Sequence, residues 1–166
     1  MLSLKTPVAA LLALTAAIGT SASFAADGTL RALSTFADDD GSPPARFYAR
    51  LASADVAAAS GDAAAGTLYR QALADADALR IPMDMREAAA AYSAWLIGAG
   101  DLSAAGATAE RVTGWAARDY ESALVQLRVQ RALGDENLWR SSLARALALA
   151  GERQIPAPLA AVAATP

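Results

Sequence analysis

The sequence predicts an all-α fold built from about three antiparallel helix hairpins, and three observations support this. Alanine, the strongest helix former and a poor strand former, occupies 47 of the 166 positions. Apolar residues recur at spacings of three and four along several stretches. The dipeptide Gly-Asp interrupts alanine-rich runs at Gly61, Gly100 and Gly134. At each place glycine is expected to end one helix and aspartate to cap the next.

The first 25 residues have the layout of a secretory signal. Lys5 supplies a positive charge, residues 8–18 form an apolar stretch, and Ser23 and Ala25 place small side chains before an expected cleavage after Ala25. The alternative, a membrane anchor, needs about 20 apolar residues. We therefore expect residues 1–25 to be a Sec-type signal peptide and the mature chain to be periplasmic or secreted in a bacterium.

The composition of the expected mature chain, residues 26–166, excludes several classes of protein. Its 13 arginines stand against 17 acidic residues, a formal charge of −4, and the only lysine lies in the signal. Such a chain has no basic face for nucleic acid or anionic lipid. The sequence contains no cysteine, so a disulfide, a lipid-bearing cysteine and a thiolate metal site are all excluded.

Residues 26–43 are predicted to form an acidic linker, with at most one short turn over residues 30–36. The sequence DDDG at residues 38–41 suggests calcium, but a calcium loop needs carboxylates at alternate positions and further oxygen ligands. A solvated linker is the preferred interpretation, and no metal is expected.

The helical domain is predicted over residues 44–151. Its first helix begins at the prolines before Ala45, has Phe47, Leu51 and Ala54 on one stripe, and ends at Gly61. Asp62 is expected to cap the second helix, which is broken by the sequence RIPMD at residues 80–84.

The boundaries of the remaining helices are also marked by aspartate and glycine residues. Asp84, followed by Glu87, is expected to cap a third helix that Gly100 ends. Asp101 is expected to cap a fourth helix over residues 102–115, and a fifth begins near Asp119 and ends at Gly134. A sixth helix, capped by Asp135, ends at Gly151. The tail, residues 152–166, contains three prolines and adds at most one short helix.

The spacing of these turns suggests a helical repeat. Gly100 and Gly134 are 34 residues apart, and Gly61 and Gly100 are 39 apart. The second helices place packing residues at a shared spacing of four and three: Ala65, Tyr69 and Ala72; Ala105, Ala109 and Val112; Trp139, Leu143 and Ala146. With this period and these small residues, residues 46–151 resemble the tetratricopeptide repeat (TPR) family.

The resemblance implies a right-handed array of about three antiparallel helix hairpins, a TPR-like α-solenoid. The alternative is an irregular helical bundle that uses Gly-Asp turns. The third repeat departs from the family pattern, because Gln126, Leu127 and Gln130 stand where the family has an apolar, a small and an aromatic residue.

The residue types available exclude most enzyme chemistry. Histidine and cysteine are absent, and after cleavage so is lysine, which removes Ser-His-Asp and Cys-His catalysis, Schiff bases and the usual zinc sites. Hydrolysis by a carboxylate pair remains the alternative. The acidic residues fall mostly at helix starts, where capping explains them. We expect no catalytic residue, no cofactor and no metal.

In the TPR family the first helices line a groove that binds a peptide or a protein surface. Carrying that face over to this chain predicts a set of groove residues on three helices: Phe47, Arg50, Glu87, Ile97, Glu121, Leu124, Arg128 and Arg131. Arg128 and Arg131, three apart on one helix, are candidates to bind a carboxylate bidentately, whereas solvated arginines that form ion pairs within their helix are the preferred interpretation. Trp115, at an expected helix junction, is a candidate for a partly exposed aromatic that contacts a partner, whereas Trp95 and Trp139 are assigned to the core.

The sequence thus favours an exported non-catalytic adaptor that binds a protein or peptide during assembly of a bacterial envelope or secretion complex. The alternative is a structural subunit that stacks or self-associates through the ends of its repeat array. This alternative rests on Leu143, Leu147 and Leu149, which have only a short, proline-interrupted tail to cover them.

Overall fold

The computed structural model describes Thr35 and residues 41–161, and within this part the chain is all-helical, with no strand. The predicted all-α class is therefore confirmed. Seven helices follow one another along residues 41–161: α1 Pro43–Ser60, α2 Ala65–Leu79, α3 Pro82–Gly98, α4 Leu102–Glu110, α5 Tyr120–Leu133, α6 Glu136–Ala150 and α7 Ala157–Ala160. The predicted signal peptide and most of the predicted acidic linker lie outside the described residues.

The three Gly-Asp sequences form the turns of three helix hairpins, α1–α2, α3–α4 and α5–α6, and the helices of each hairpin pack against each other. Gly61, Gly100 and Gly134 have φ angles of 72°, 80° and 74°, the left-handed conformation that glycine adopts without a Cβ clash. Asp101 and Asp135 cap the following helices as predicted, since their carboxylates accept hydrogen bonds from first-turn backbone N–H groups.

Two predicted caps are wrong. α2 begins at Ala65, and the Asp62 carboxylate accepts a hydrogen bond from the Ala64 N–H within the turn that precedes the helix. α3 begins at Pro82, so Asp84 lies inside the first helical turn instead of before it. The cause is that proline has the φ angle of a helix and needs no N–H partner at the first helical position, so the helix starts at Pro82, three residues before the predicted start at Met85.

The fourth helix is shorter than predicted. α4 ends at Glu110, and residues 111–118 form a series of turns before Asp119 caps α5 at the predicted position. In these turns the Trp115 N–H donates to the Val112 carbonyl and the Arg118 N–H donates to the Trp115 carbonyl. Gly114 and the β-branched Thr113 both disfavour continued helix. Val112 and Ala116 are fully buried, which anchors the irregular segment to the core.

The core consists of two clusters built mainly from small side chains. The larger cluster joins α1 to α5 with residues from the α4–α5 connection, and the smaller one fills the last hairpin around Leu127, Trp139 and Ala146. The predicted packing triplets are all buried except Leu143, which is partly exposed. Between the hairpins, α2 packs against α3, α4 against α5 and α3 against α5.

The last hairpin uses polar side chains where the TPR pattern has apolar and aromatic ones. The Gln126 side-chain amide donates to Thr113 Oγ1 at 2.6 Å and accepts from Arg145 of α6 at 3.1 Å. Gln130 Oε1 is buried and has no hydrogen-bond partner among the described residues. These contacts join the α4–α5 connection to α5 and α6 through hydrogen bonds.

The tail covers part of the last hairpin. Ile155 and Leu159 pack against the smaller cluster with Leu143 and Leu149. The Trp139 indole N–H donates to the Leu159 carbonyl at 2.9 Å. Leu143 and Leu149 are partly buried against the smaller cluster, whereas Leu147 is 58% exposed, so part of the expected apolar end remains uncovered.

Gly66 tests how closely α2 and α3 approach each other. A Cβ atom at Gly66 would lie 2.5 Å from the Trp95 ring, whereas one at Gly106 in α4 would meet nothing within 4 Å. We expect Gly66→Ala to lower the free energy of unfolding by about 1–2 kcal/mol, since overpacking outweighs the gain in helix propensity. The control Gly106→Ala should raise it by about 0.5–1 kcal/mol. Urea unfolding of both variants measures this, and a stabilised Gly66→Ala would contradict the close approach.

Candidate partner-binding surfaces

α3 and α5 pack together, and each has an exposed side. Arg86 near the start of α3 forms an ion pair with Asp119, the cap of α5, at 3.5 Å. On α3 the exposed side has Met83, Glu87 and Ile97, and on α5 it has Glu121, Leu124 and Arg128, each set lying within one side of its helix. These six residues are called the α3–α5 face below.

Two of the predicted groove residues lie elsewhere. Phe47 is fully buried in the larger cluster and has no surface to offer a partner. Arg50 forms an ion pair with Asp75 of α2. The reason is that Phe47 and Ala54, seven residues apart, occupy the stripe of α1 that faces the core, and Arg50 lies on the flank of that stripe next to α2.

The two arginines of α5 have different surroundings. The Arg131 guanidinium lies 5.0 Å from the ring centroid of Trp139 on α6, a cation–π contact. Arg128 is partly exposed and has no hydrogen bond or ion pair within residues 41–161. Arg131 is thus held against α6, and Arg128 is the free cation of the α3–α5 face.

A polar network lies at the end of the α3–α5 face where both helices begin. Arg86 contacts Glu87 at 3.0 Å and Asp119 at 3.5 Å. Partial burial of Asp119 acts against its ionisation, but hydrogen bonds from the Ser122 side chain and backbone, together with the charge of Arg86, hold its pKa below the usual value. Asp119 therefore stays ionised, caps α5 and ties it to α3.

Two buried tyrosine–aspartate pairs connect the first helices to their neighbours. The Tyr48 hydroxyl of α1 donates to Asp84 of α3 at 2.6 Å, and the Tyr69 hydroxyl of α2 donates to Asp55 of α1 at 2.6 Å. Asp84 is only 3% exposed. Sequence reasoning assigned Asp84 to a cap, because no local pattern indicates a partner 36 residues away.

Burial, followed by the neighbouring carboxylate, raises the pKa of both phenols. Burial also raises the pKa of Asp55, although the hydrogen bond from Tyr69 acts in the opposite direction.

A second surface is a cleft beside Trp115. It lies between the end of α2, the start of α3 and the α4–α5 connection, and has a volume of about 390 Å³. Its wall is apolar and its rim is charged, and it is lined by Ala76, Asp77, Arg80, Ile81, Met85, Arg111 and Trp115. Trp115 is partly exposed and packs against the larger cluster, while Ile81 is 39% exposed. These residues are called the Trp115 cleft below.

The early end of α4 is what shapes this cleft. The turns after Glu110 bring Arg111 and Trp115 to the end of α2, where both line the cleft. Of the lining residues, the sequence indicates only Trp115. The others cannot be assigned from local patterns, because the cleft is formed by three separate stretches of chain.

Within residues 41–161 and at Thr35, no group of three or more histidine, cysteine, aspartate or glutamate side chains is arranged to hold a metal ion. No helix in this part of the chain is both long and apolar enough to cross a membrane. Comparison with known proteins gives no matching family model, no matching curated protein and no matching solved structure.

The raised pKa values of Tyr48 and Tyr69 predict how stability changes at alkaline pH. An unfolded tyrosine loses its proton near pH ~10, whereas both phenols keep theirs to higher pH in the folded chain. The folded state then binds more protons than the unfolded state, so the free energy of unfolding should fall as pH rises above about 10.

The double variant Tyr48→Phe/Tyr69→Phe should be less stable near neutral pH, because Asp84 and Asp55 lose their donors. It should also show a shallower alkaline decline than the parent chain. Urea unfolding between about pH 8 and about pH 11.5 measures both effects. Parallel declines in the two proteins would mean that these phenols do not titrate with a raised pKa.

Proposed function

We propose that this chain is an exported, non-catalytic helical-repeat adaptor that binds a protein or peptide through the α3–α5 face. The observation that supports this most directly is the composition of that face. Met83 is 56% exposed, and partly exposed Ile97 and Leu124 lie beside charges of both signs. Exposed apolar side chains bordered by charged ones are typical of surfaces that bind proteins.

The proposal includes the arrangement of the hairpins as a right-handed, TPR-like array. Each of the three successive hairpins has a glycine in its turn, each first helix after α1 packs against the second helix of the preceding hairpin, and α3 packs against α5. A stack of this kind leaves one face of the first helices uncovered. The signal-like layout of residues 1–25 supports export of the chain to a periplasmic or secreted location. The role proposed at that location is assembly of an envelope or secretion complex.

Site-specific photo-crosslinking in cells tests the proposed face. A photoreactive residue at Met83 should yield one discrete adduct with a protein partner. The same residue at Ala74, exposed on α2 and away from the face, should yield none. Equal adducts at both positions, or no adduct at Met83, would contradict the proposal.

Charge on the α3–α5 face should matter for the crosslinked partner. With the photoreactive residue kept at Met83, we expect Arg128→Ala to reduce the adduct about two- to fivefold, the effect of an exposed ion pair. The matched control Arg70→Ala removes an exposed arginine of α2 and should leave the adduct unchanged. An undiminished adduct in Arg128→Ala would exclude a role for this cation.

Self-association through the end of the array is a second candidate function, and Leu147 favours it. This side chain is 58% exposed on α6, one turn from Leu143, which packs with the tail. If the uncovered leucine contacts a second copy, Leu147→Arg should turn a concentration-dependent dimer into a monomer in sedimentation velocity. Leu138, 52% exposed and about 180° away on the same helix, provides the control Leu138→Arg, which should not change the mass. A monomeric parent chain would exclude this candidate.

A further inference from the structure

The Trp115 cleft combines an apolar wall with a basic rim. Its volume of about 390 Å³ lies within the range of ligand pockets, roughly 300–1,000 Å³, and suits one large side chain. Met85 is buried at the base, and Ile81 and Trp115 are partly exposed at the sides. An apolar group that enters the cleft would cover side-chain surface that is now in contact with water.

The charges of the rim do not cancel. Arg111 forms an ion pair with Asp77, which leaves the second arginine, Arg80, as the surplus charge. Arg80 is exposed and has no hydrogen bond from its side chain and no ion pair within the part of the chain described by the structure. The cleft therefore has a formal charge of +1 in a chain whose own net charge is −3.

The backbone at Arg80 is unusual for a residue with a side chain. Its φ angle is 56°, and it is the only residue other than glycine with a positive φ among those described. At the corresponding ends of α1 and α5 the chain has glycine, which adopts this conformation without a Cβ clash. An arginine here bears backbone strain, and its cationic side chain lines the cleft.

We propose that the Trp115 cleft binds an acidic peptide segment of a partner protein that contains a large apolar side chain. The apolar side chain enters against Trp115, Ile81 and Met85, and a neighbouring carboxylate pairs with Arg80. Charge complementarity selects this occupant, because an acidic segment is repelled by most of this acidic chain and attracted at the rim. The cleft is distinct from the α3–α5 face, so this site goes beyond the proposed function and is tested separately from it.

Peptide titration followed by nuclear magnetic resonance tests the cleft. The probe is the blocked peptide Asp-Phe-Glu-Leu, and the signal is the indole N–H of Trp115, assigned with Trp115→Phe. We expect this signal to shift and saturate, and the blocked peptide Lys-Phe-Lys-Leu to bind at least about fivefold more weakly. Equal binding of both peptides, or a Trp115 signal that does not move, would overturn the proposal.

Arg80→Gly separates binding from folding. Glycine relieves the left-handed strain, so the variant should unfold at an equal or higher urea concentration. It should nevertheless bind the acidic peptide about two- to fivefold more weakly, the effect of one exposed ion pair. The control Arg70→Ala, on the exposed side of α2, should bind like the parent chain. Unchanged affinity of Arg80→Gly would overturn the role of this arginine.

Two further outcomes also overturn the proposal. A Trp115 shift that depends on protein concentration without peptide would assign the cleft to a second copy of the chain. Peptide-induced shifts at Arg128 without shifts at Trp115 would assign the peptide to the α3–α5 face. The Arg128→Ala crosslinking experiment leaves Arg80 and Trp115 unchanged, and the Arg80→Gly titration leaves Arg128 unchanged, so failure of the cleft and failure of the proposed function can be distinguished.

Discussion

The close contact of helices through small side chains is the constraint on which the rest of the structure depends. The fully buried positions of α1 to α4 are mainly alanine, with glycine at Gly66 where the Trp95 ring lies against α2. Because large side chains are few, the helices must pack closely to leave no gaps in the core. Dispersion attraction falls steeply with distance, so a wider separation would lose these contacts. The tyrosines and tryptophans then fill the remaining spaces, as the stacked rings of Tyr69 and Tyr92 do at 5.9 Å.

Burial of small side chains contributes limited hydrophobic free energy to folding. The helices are also joined by polar contacts. Tyr48 with Asp84 and Tyr69 with Asp55 place hydroxyl–carboxylate bonds at helix contacts. Arg86 with Asp119 joins the starts of α3 and α5. Charge-assisted hydrogen bonds are directional, so they specify which residues of neighbouring helices lie opposite each other. Alanine, which packs equally well in several registers, does not specify this.

Both candidate surfaces follow from this packing. The helices α3 and α5 are joined at their starts by Arg86 and Asp119, and the residues of the α3–α5 face lie on the sides of these helices that are not fully buried. The Trp115 cleft exists because α4 ends at Glu110 and irregular turns take its place beside the end of α2. The tail packs against the smaller cluster through Ile155 and Leu159, and Leu147 remains exposed on α6.

The sequence by itself determined the helical class and the positions of the hairpin turns. Glycine in a left-handed conformation and an aspartate cap are local interactions, so Gly100-Asp101 and Gly134-Asp135 could be assigned from neighbouring residues alone. The spacing of four and three likewise identified most of the buried side of the second helices. These features depend on helix periodicity, which does not require knowledge of the fold.

Only the tertiary structure decided which side chains meet across long separations. Asp84 accepts a hydrogen bond from Tyr48, and Arg50 forms an ion pair with Asp75. The Arg131 guanidinium lies over the ring of Trp139. The left-handed conformation of Arg80 and the early end of α4 also depend on packing that local propensity does not encode. The reason is physical. Each helix has several sides, and the packing of the neighbouring helices determines which side is buried, which side contacts another helix and which side remains exposed.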